Sequence, residues 1–112
     1  MTTHFTVSAE RTDEMVIISC SGELDIATAP DVEREIGKAV TPDAPKLIRL
    51  DWSGLTFMDS TGIRLLLTTV RLCKEAGFEL VWDLSPPAQR ALDAVGIHDE
   101  LLRTYGEANG DT

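Results

Sequence analysis

Residues 46–77 read KLIRLDW, then SGLTFMD, then STGIRLLLTTVRLCKEAG. The first segment, Lys46 to Trp52, places Leu47, Ile48, Leu50 and Trp52 close together, the apolar density of a strand inside a sheet. In the last segment Ile63, Leu66, Leu67, Val70 and Cys73 share one face of a helix, opposite Arg64, Thr68, Arg71 and Glu75. Asp59 or Ser60 caps its start and Gly77 ends it in the left-handed region. Phe78 to Leu84 (FELVWDL) is a further strand. A strand, a helix long enough to cross over and a second strand make a right-handed parallel unit.

Working outward, Met15 to Cys20 (MVIISC) is a continuous apolar run ending at Ser21-Gly22, which predicts a strand covered on both faces. Phe5 to Ala9 pairs with it antiparallel across the polar turn Glu10 to Glu14. Thr28 is the expected N-cap of a helix with Pro30 in its first turn and Val32, Ile36, Ala39 and Val40 facing inward, closed by residues 41–45. Downstream, Ser85-Pro86-Pro87 opens a helix that turns Ala88, Ala91, Leu92 and Val95 inward, and Gly96 stops it. Leu101 to Thr104 reads as a short last strand. The expected architecture is α/β: a single domain over 5–104, with a mixed sheet of four to five strands and three helices mainly on one face. Residues 1–4 and 105–112 are expected to be flexible termini.

Composition narrows function. The chain has 112 residues, one domain's worth, and its net charge of −9 opposes binding to nucleic acid or an anionic membrane. No apolar run approaches the length of a membrane span and no leader is recognisable, so a cytoplasmic location is expected. Cys20 and Cys73 each lie in an apolar stretch and read as buried free thiols. No Cys/His cluster suggests a metal, and no cofactor is expected.

In open α/β sheets chemistry gathers where strands end and helices begin. Two segments occupy such places: Ser21 to Thr28, and Thr56 to Gly62, which runs from the expected loop Ser53 to Asp59 into the start of the helix. Parallel topology brings both to one end of the molecule. Asp59-Ser60-Thr61-Gly62 puts an acid, two hydroxyls and a glycine at a helix start. It is either a plain N-cap with a glycine for close packing, or an accessible phosphoacceptor whose added charge of about −1.5 to −2 the first helical turn tolerates.

Two other functions fit poorly. An enzyme lacks its parts: only His4 and His98 are present, no GxSxG, GxxxxGK[ST] or HExxH occurs, and Ile26 stands where a phosphatase loop beginning at Cys20 needs arginine. A receiver domain phosphorylated on Asp51 needs an acid pair after the first core strand and a lysine after a later one, and neither is present.

SGELDIATAP (21–30), LDWSGLTFMDSTGIRLLL (50–67) and the spacing to GIHDEL (96–101) resemble the STAS domain of the bacterial anti-sigma factor antagonist family, over nearly the whole chain. The resemblance implies a switch without catalysis of its own. The unmodified protein binds an anti-sigma factor, usually a serine kinase, and frees a sigma factor. The kinase phosphorylates the motif serine, here Ser60, and the complex parts until a phosphatase restores the hydroxyl. Asp25 and Asp59 match family positions near the acceptor, and Gly62 matches the glycine that lets the helix start lie close to its neighbours. With Thr56, Met58, Thr61 and Arg64 they form the expected phosphosite environment and partner surface of a monomer. A STAS phospho-switch in a stress-signalling scaffold is the alternative. Two departures stand out: residues 105–112 leave the family's final helix short or absent, and Thr61 replaces a frequent second serine, making it a secondary candidate. Leu65 and Leu72 lie off the main helical stripe, either filling space or facing a partner.

Overall fold

The computed structural model describes residues 4–96. Strand β1 (Thr6–Arg11) turns into β2 (Val16–Leu24), followed by α1 (Ala29–Ala39), β3 (Leu47–Met58), α2 (Ser60–Ala76), β4 (Glu79–Leu84) and α3 (Pro86–Val95). The sheet order is β1-β2-β3-β4, with β1 antiparallel to β2 and the other two pairings parallel. The β1–β2 turn is fastened by Thr12, whose hydroxyl accepts from the N–H groups of Glu14 and Met15, both at 3.1 Å. The expected α/β architecture holds, with four strands and three helices among the described residues. The expected strand at Leu101 to Thr104 and the tail beyond Tyr105 lie outside them.

Both parallel connections step the same way across the sheet, so right-handed crossovers place α1 and α2 on one face. The burial pattern agrees. Val16, Ile18, Cys20, Ile48, Leu50, Trp52, Leu80 and Trp82 point into the core, and Val32, Ile36, Leu66, Val70 and Cys73 meet them from the helices. MVIISC is not covered on both faces as its apolar run suggested. Ile17 and Ser19 are half-buried and share their side of the sheet with the ion pair Arg49–Asp83 (2.5 Å) and with Asp51, which accepts from the Ser53 hydroxyl at 2.6 Å. α3 starts where β4 leaves β3: Ser85 donates its N–H to Trp52 O at 3.2 Å, and its hydroxyl accepts from Ala88 N–H.

Several local expectations change. Ser53 to Asp59 is not a loop, because β3 runs on to Met58 beside a β2 that itself continues to Leu24. Register shifts between Ser19/Ser21 and Gly22/Glu23 absorb the irregularity, with Gly22 at φ 101°. Leu55 and Met58 stay buried along this extension. Thr28 occupies the N-cap position of α1 but makes no capping bond, since its hydroxyl turns back to Glu23 O (2.8 Å). Leu65 is buried and Leu72 partly exposed, so the two do not act together. Val95, expected inside, is exposed at the last turn of α3, one residue before Gly96 ends the helix. Gly77 closes α2 as expected, at φ 81°.

Candidate functional site

The site is built on the ends of the two central strands. Leu24 and Met58 are partners in the β2–β3 register, and Asp59 donates its N–H to Leu24 O at 3.3 Å, so both strands stop at one level. Asp59 then caps α2: in extended conformation, it accepts Thr61 N–H on Oδ1 at 2.9 Å. Ser60 is the first helical residue. It is exposed, and among the described residues its hydroxyl has no hydrogen-bond partner. Asp59 satisfies the Thr61 N–H and, through its carbonyl, the Ile63 N–H, and the positive end of the helix dipole makes this a setting that accepts a negative group.

Gly62 explains how the helix start comes so close. A Cβ there would run into Met58 Cγ and come within 3.1 Å of Leu24 Cγ and Cδ2. Met58 and Gly62 therefore support the site from beneath; Met58 is buried and offers a partner no surface. Thr56 and Arg64 are exposed and Asp25, Asp59 and Thr61 half-buried, so these five and Ser60 lie at or near the surface. Arg64 has no ion pair among the described residues.

Asp25 is occupied by its own turn. Its Oδ1 accepts the N–H of Ala27 (2.9 Å) and of Thr28 (3.2 Å), and the Thr28 hydroxyl accepts Asp25 N–H at 3.0 Å. Within the two candidate segments, two residues not singled out as site residues are exposed: Ile26, 79%, and Phe57, 46%. The available signal was an isoleucine inside a polar turn and an aromatic next to a helix cap. A groove of about 230 Å³ between α1 and α2 is lined by Ile26, Ala29, Pro30 and Leu65 together with the polar residues Glu33, Thr61, Arg64 and Thr68. The described residues contain no cluster of His, Cys, Asp and Glu able to hold a metal and no helix long and apolar enough to cross a membrane. Burial pushes the Cys20 thiol up to about 12, helped by the charge of Asp51, and Cys73 up to about 11.

This geometry has known counterparts, for the family model of the STAS domain matches residues 6–108. The chain belongs to the STAS-domain family. Among curated relatives, the anti-sigma F factor antagonist of Paenibacillus polymyxa is 33% identical over 99 residues, covering 88% of this chain and 85% of its own. The crystal structure of an anti-sigma factor antagonist from Mycobacterium paratuberculosis superposes on this STAS domain with a TM-score of 0.68 at 31% identity, covering 93% of this chain and 96% of that one. The Bacillus cell fate determinant SpoIIAA, solved in its phosphorylated form, gives a TM-score of 0.65 at 26% identity, with 86% of each chain covered. Two of these relatives are named anti-sigma factor antagonists, and the third has been solved in a phosphorylated form.

Proposed function

We propose that this protein is an anti-sigma factor antagonist switched by phosphorylation of Ser60. Unmodified, it binds an anti-sigma factor that is also a serine kinase and so frees a sigma factor; phosphorylated, it lets the kinase go until a phosphatase restores the hydroxyl. It works as a monomer in the cytoplasm through a domain spanning 5–104, and catalyses nothing itself. The observation that carries the reading is the exposed Ser60 hydroxyl at the capped start of α2, without a hydrogen-bond partner among the described residues.

The chemistry follows from that placement. A kinase reaches Ser60 Oγ without unfolding anything, and the dianion added there meets the positive end of a helix rather than a packed interior. Asp59 lies next to it and Thr61, Asp25 and Arg64 around it, so the modification changes the charge of a contact surface while the core stays as it is. Regulatory couplings of about 1–3 kcal/mol correspond to a roughly 5- to 150-fold loss of affinity.

Incubation with the cognate kinase and ATP, followed by mass spectrometry, tests this directly. Label is expected on Ser60 and absent from Ser60→Ala. Undiminished labelling of Ser60→Ala, or label on Asp51, refutes the proposal. Ser60→Asp is expected to fold normally and bind the kinase less tightly than Ser60→Ala; equal affinities mean that charge at this position is not the signal.

A further inference from the structure

We infer that Ile26 is an apolar anchor for the kinase that modifies Ser60, and that Asp25 and Thr28 serve the partner through it, as positioning residues. This rests on the proposed function and deepens it. A single exposed aliphatic side chain is ordinary on a protein surface. Ile26 differs in how it is held and in what lies next to it.

Its turn is closed on every side. Asp25 Oδ1 accepts the N–H groups of Ala27 and Thr28, at 2.9 and 3.2 Å, so the carboxylate spans the residue it displays. The Thr28 hydroxyl accepts Asp25 N–H at 3.0 Å and donates to Glu23 O at 2.8 Å, and Thr28 and Ala29 donate their N–H groups to Asp25 O at 3.2 and 2.9 Å. Just before the turn, Leu24 O accepts the N–H of Asp59, the residue that caps the helix bearing Ser60. Ile26 is thus fixed relative to Ser60 by a short chain of hydrogen bonds, and a partner that covers it orders little backbone in doing so.

The groove beside Ile26 indicates the occupant. Ile26, Ala29, Pro30 and Leu65 supply apolar lining, Arg64 and Glu33 one charge of each sign, and Thr61, adjacent to Ser60, lies among them with Thr68. An enzyme that delivers a phosphoryl group to Ser60 Oγ must bring the lip of its active site over Thr61, and that lip then lies over the groove. The occupant is therefore an apolar side chain at the edge of the kinase site, with Ile26 packed against it, as buried apolar anchors dominate interface energies. The charge of Asp25 is not required for this role, because the carbonyl oxygen of an asparagine can accept the same two N–H groups.

The experiment takes each anti-sigma factor of the kinase class encoded with this chain, purifies it, and measures ATP-dependent labelling of the full-length protein. Ile26→Ala is expected to raise KM and Kd about tenfold with kcat kept. Its thermal midpoint should match the wild type, since the side chain lies outside the core. Asp25→Ala should likewise raise KM with kcat kept, and Asp25→Asn should stay within about threefold of wild type. Combining Asp25→Ala with Ile26→Ala should cost no more than Ile26→Ala alone. Amide exchange at Ala27 and Thr28 should quicken in Asp25→Ala and not in Asp25→Asn. Unchanged KM in Ile26→Ala, additive effects in the double variant, or an Asp25→Asn as impaired as Asp25→Ala overturns the inference while Ser60 labelling still stands. Absence of labelling on wild-type Ser60 by every kinase removes the functional reading, and the inference falls with it.

Discussion

Replacing Gly62 with alanine perturbs the site from underneath. The added methyl would collide with Met58 Cγ and crowd Leu24 at 3.1 Å, and both neighbours are themselves buried. Overpacking of this kind costs about 1–3 kcal/mol. Alanine recovers up to about 1 kcal/mol through its better helix propensity, and less in a first turn. The expected net loss is about 1–2 kcal/mol, which for a domain of this size lowers the thermal midpoint by about 5–10 °C. Urea denaturation followed by circular dichroism measures it. Met58→Ala opens the space the methyl needs, so the double variant should lose less than the two single losses added. A Gly62→Ala protein as stable as wild type, or strict additivity with Met58→Ala, would show that the helix start does not press on Met58 and Leu24 as described.

Three other outcomes follow from the packing. Cys20 and Cys73 should not react with a thiol reagent at pH 8 until denaturant is added; because folding raises both thiol pKa values, to about 12 and 11, their contribution to stability is complete below about pH 9 and declines as pH rises towards those values, which urea midpoints at pH 8 and pH 10 should reveal. Gly22→Ala should cost about 2 kcal/mol or more in urea denaturation, since φ is 101° and a Cβ would press on the backbone of His4 and Phe5. Ser85→Ala, which removes the buried cap accepting Ala88 N–H, should cost about 0.5–2 kcal/mol, measured the same way.

The parts of the fold that could be read from sequence are those with local causes. The period of α2, its cap at Asp59, its glycine stop at Gly77 and the Ser85-Pro86-Pro87 start of α3 all depend on neighbours along the chain. The far ends of β2 and β3 do not. Ser21-Gly22 and Ser53-Gly54 look like punctuation, yet each segment continues as strand because the other lies beside it, and only the register between them, bulges included, keeps Leu55 and Met58 in the core. The site divides the same way. Ser60 could be located from the motif around it, since its exposure follows from its place at a helix start. Asp25 and Ile26 could not be ranked, because which of them faces outward depends on a turn whose bonds run back to Glu23 and across to Asp59. Thr28 shows the limit plainly: a hydroxyl before a helix has two backbone directions to choose from, and here it takes the earlier one.

The level stop of the two central strands carries a further consequence. Leu24 and Met58 seal the interior directly beneath the surface on which Ile26, Phe57, Ser60 and Arg64 stand. The outward side chains can therefore be exchanged one at a time without disturbing the scaffold that presents them. A duplicated gene for such a protein can drift toward a new ally through a handful of changes, and a bacterium can keep several of these signalling lines insulated from one another on one shared frame.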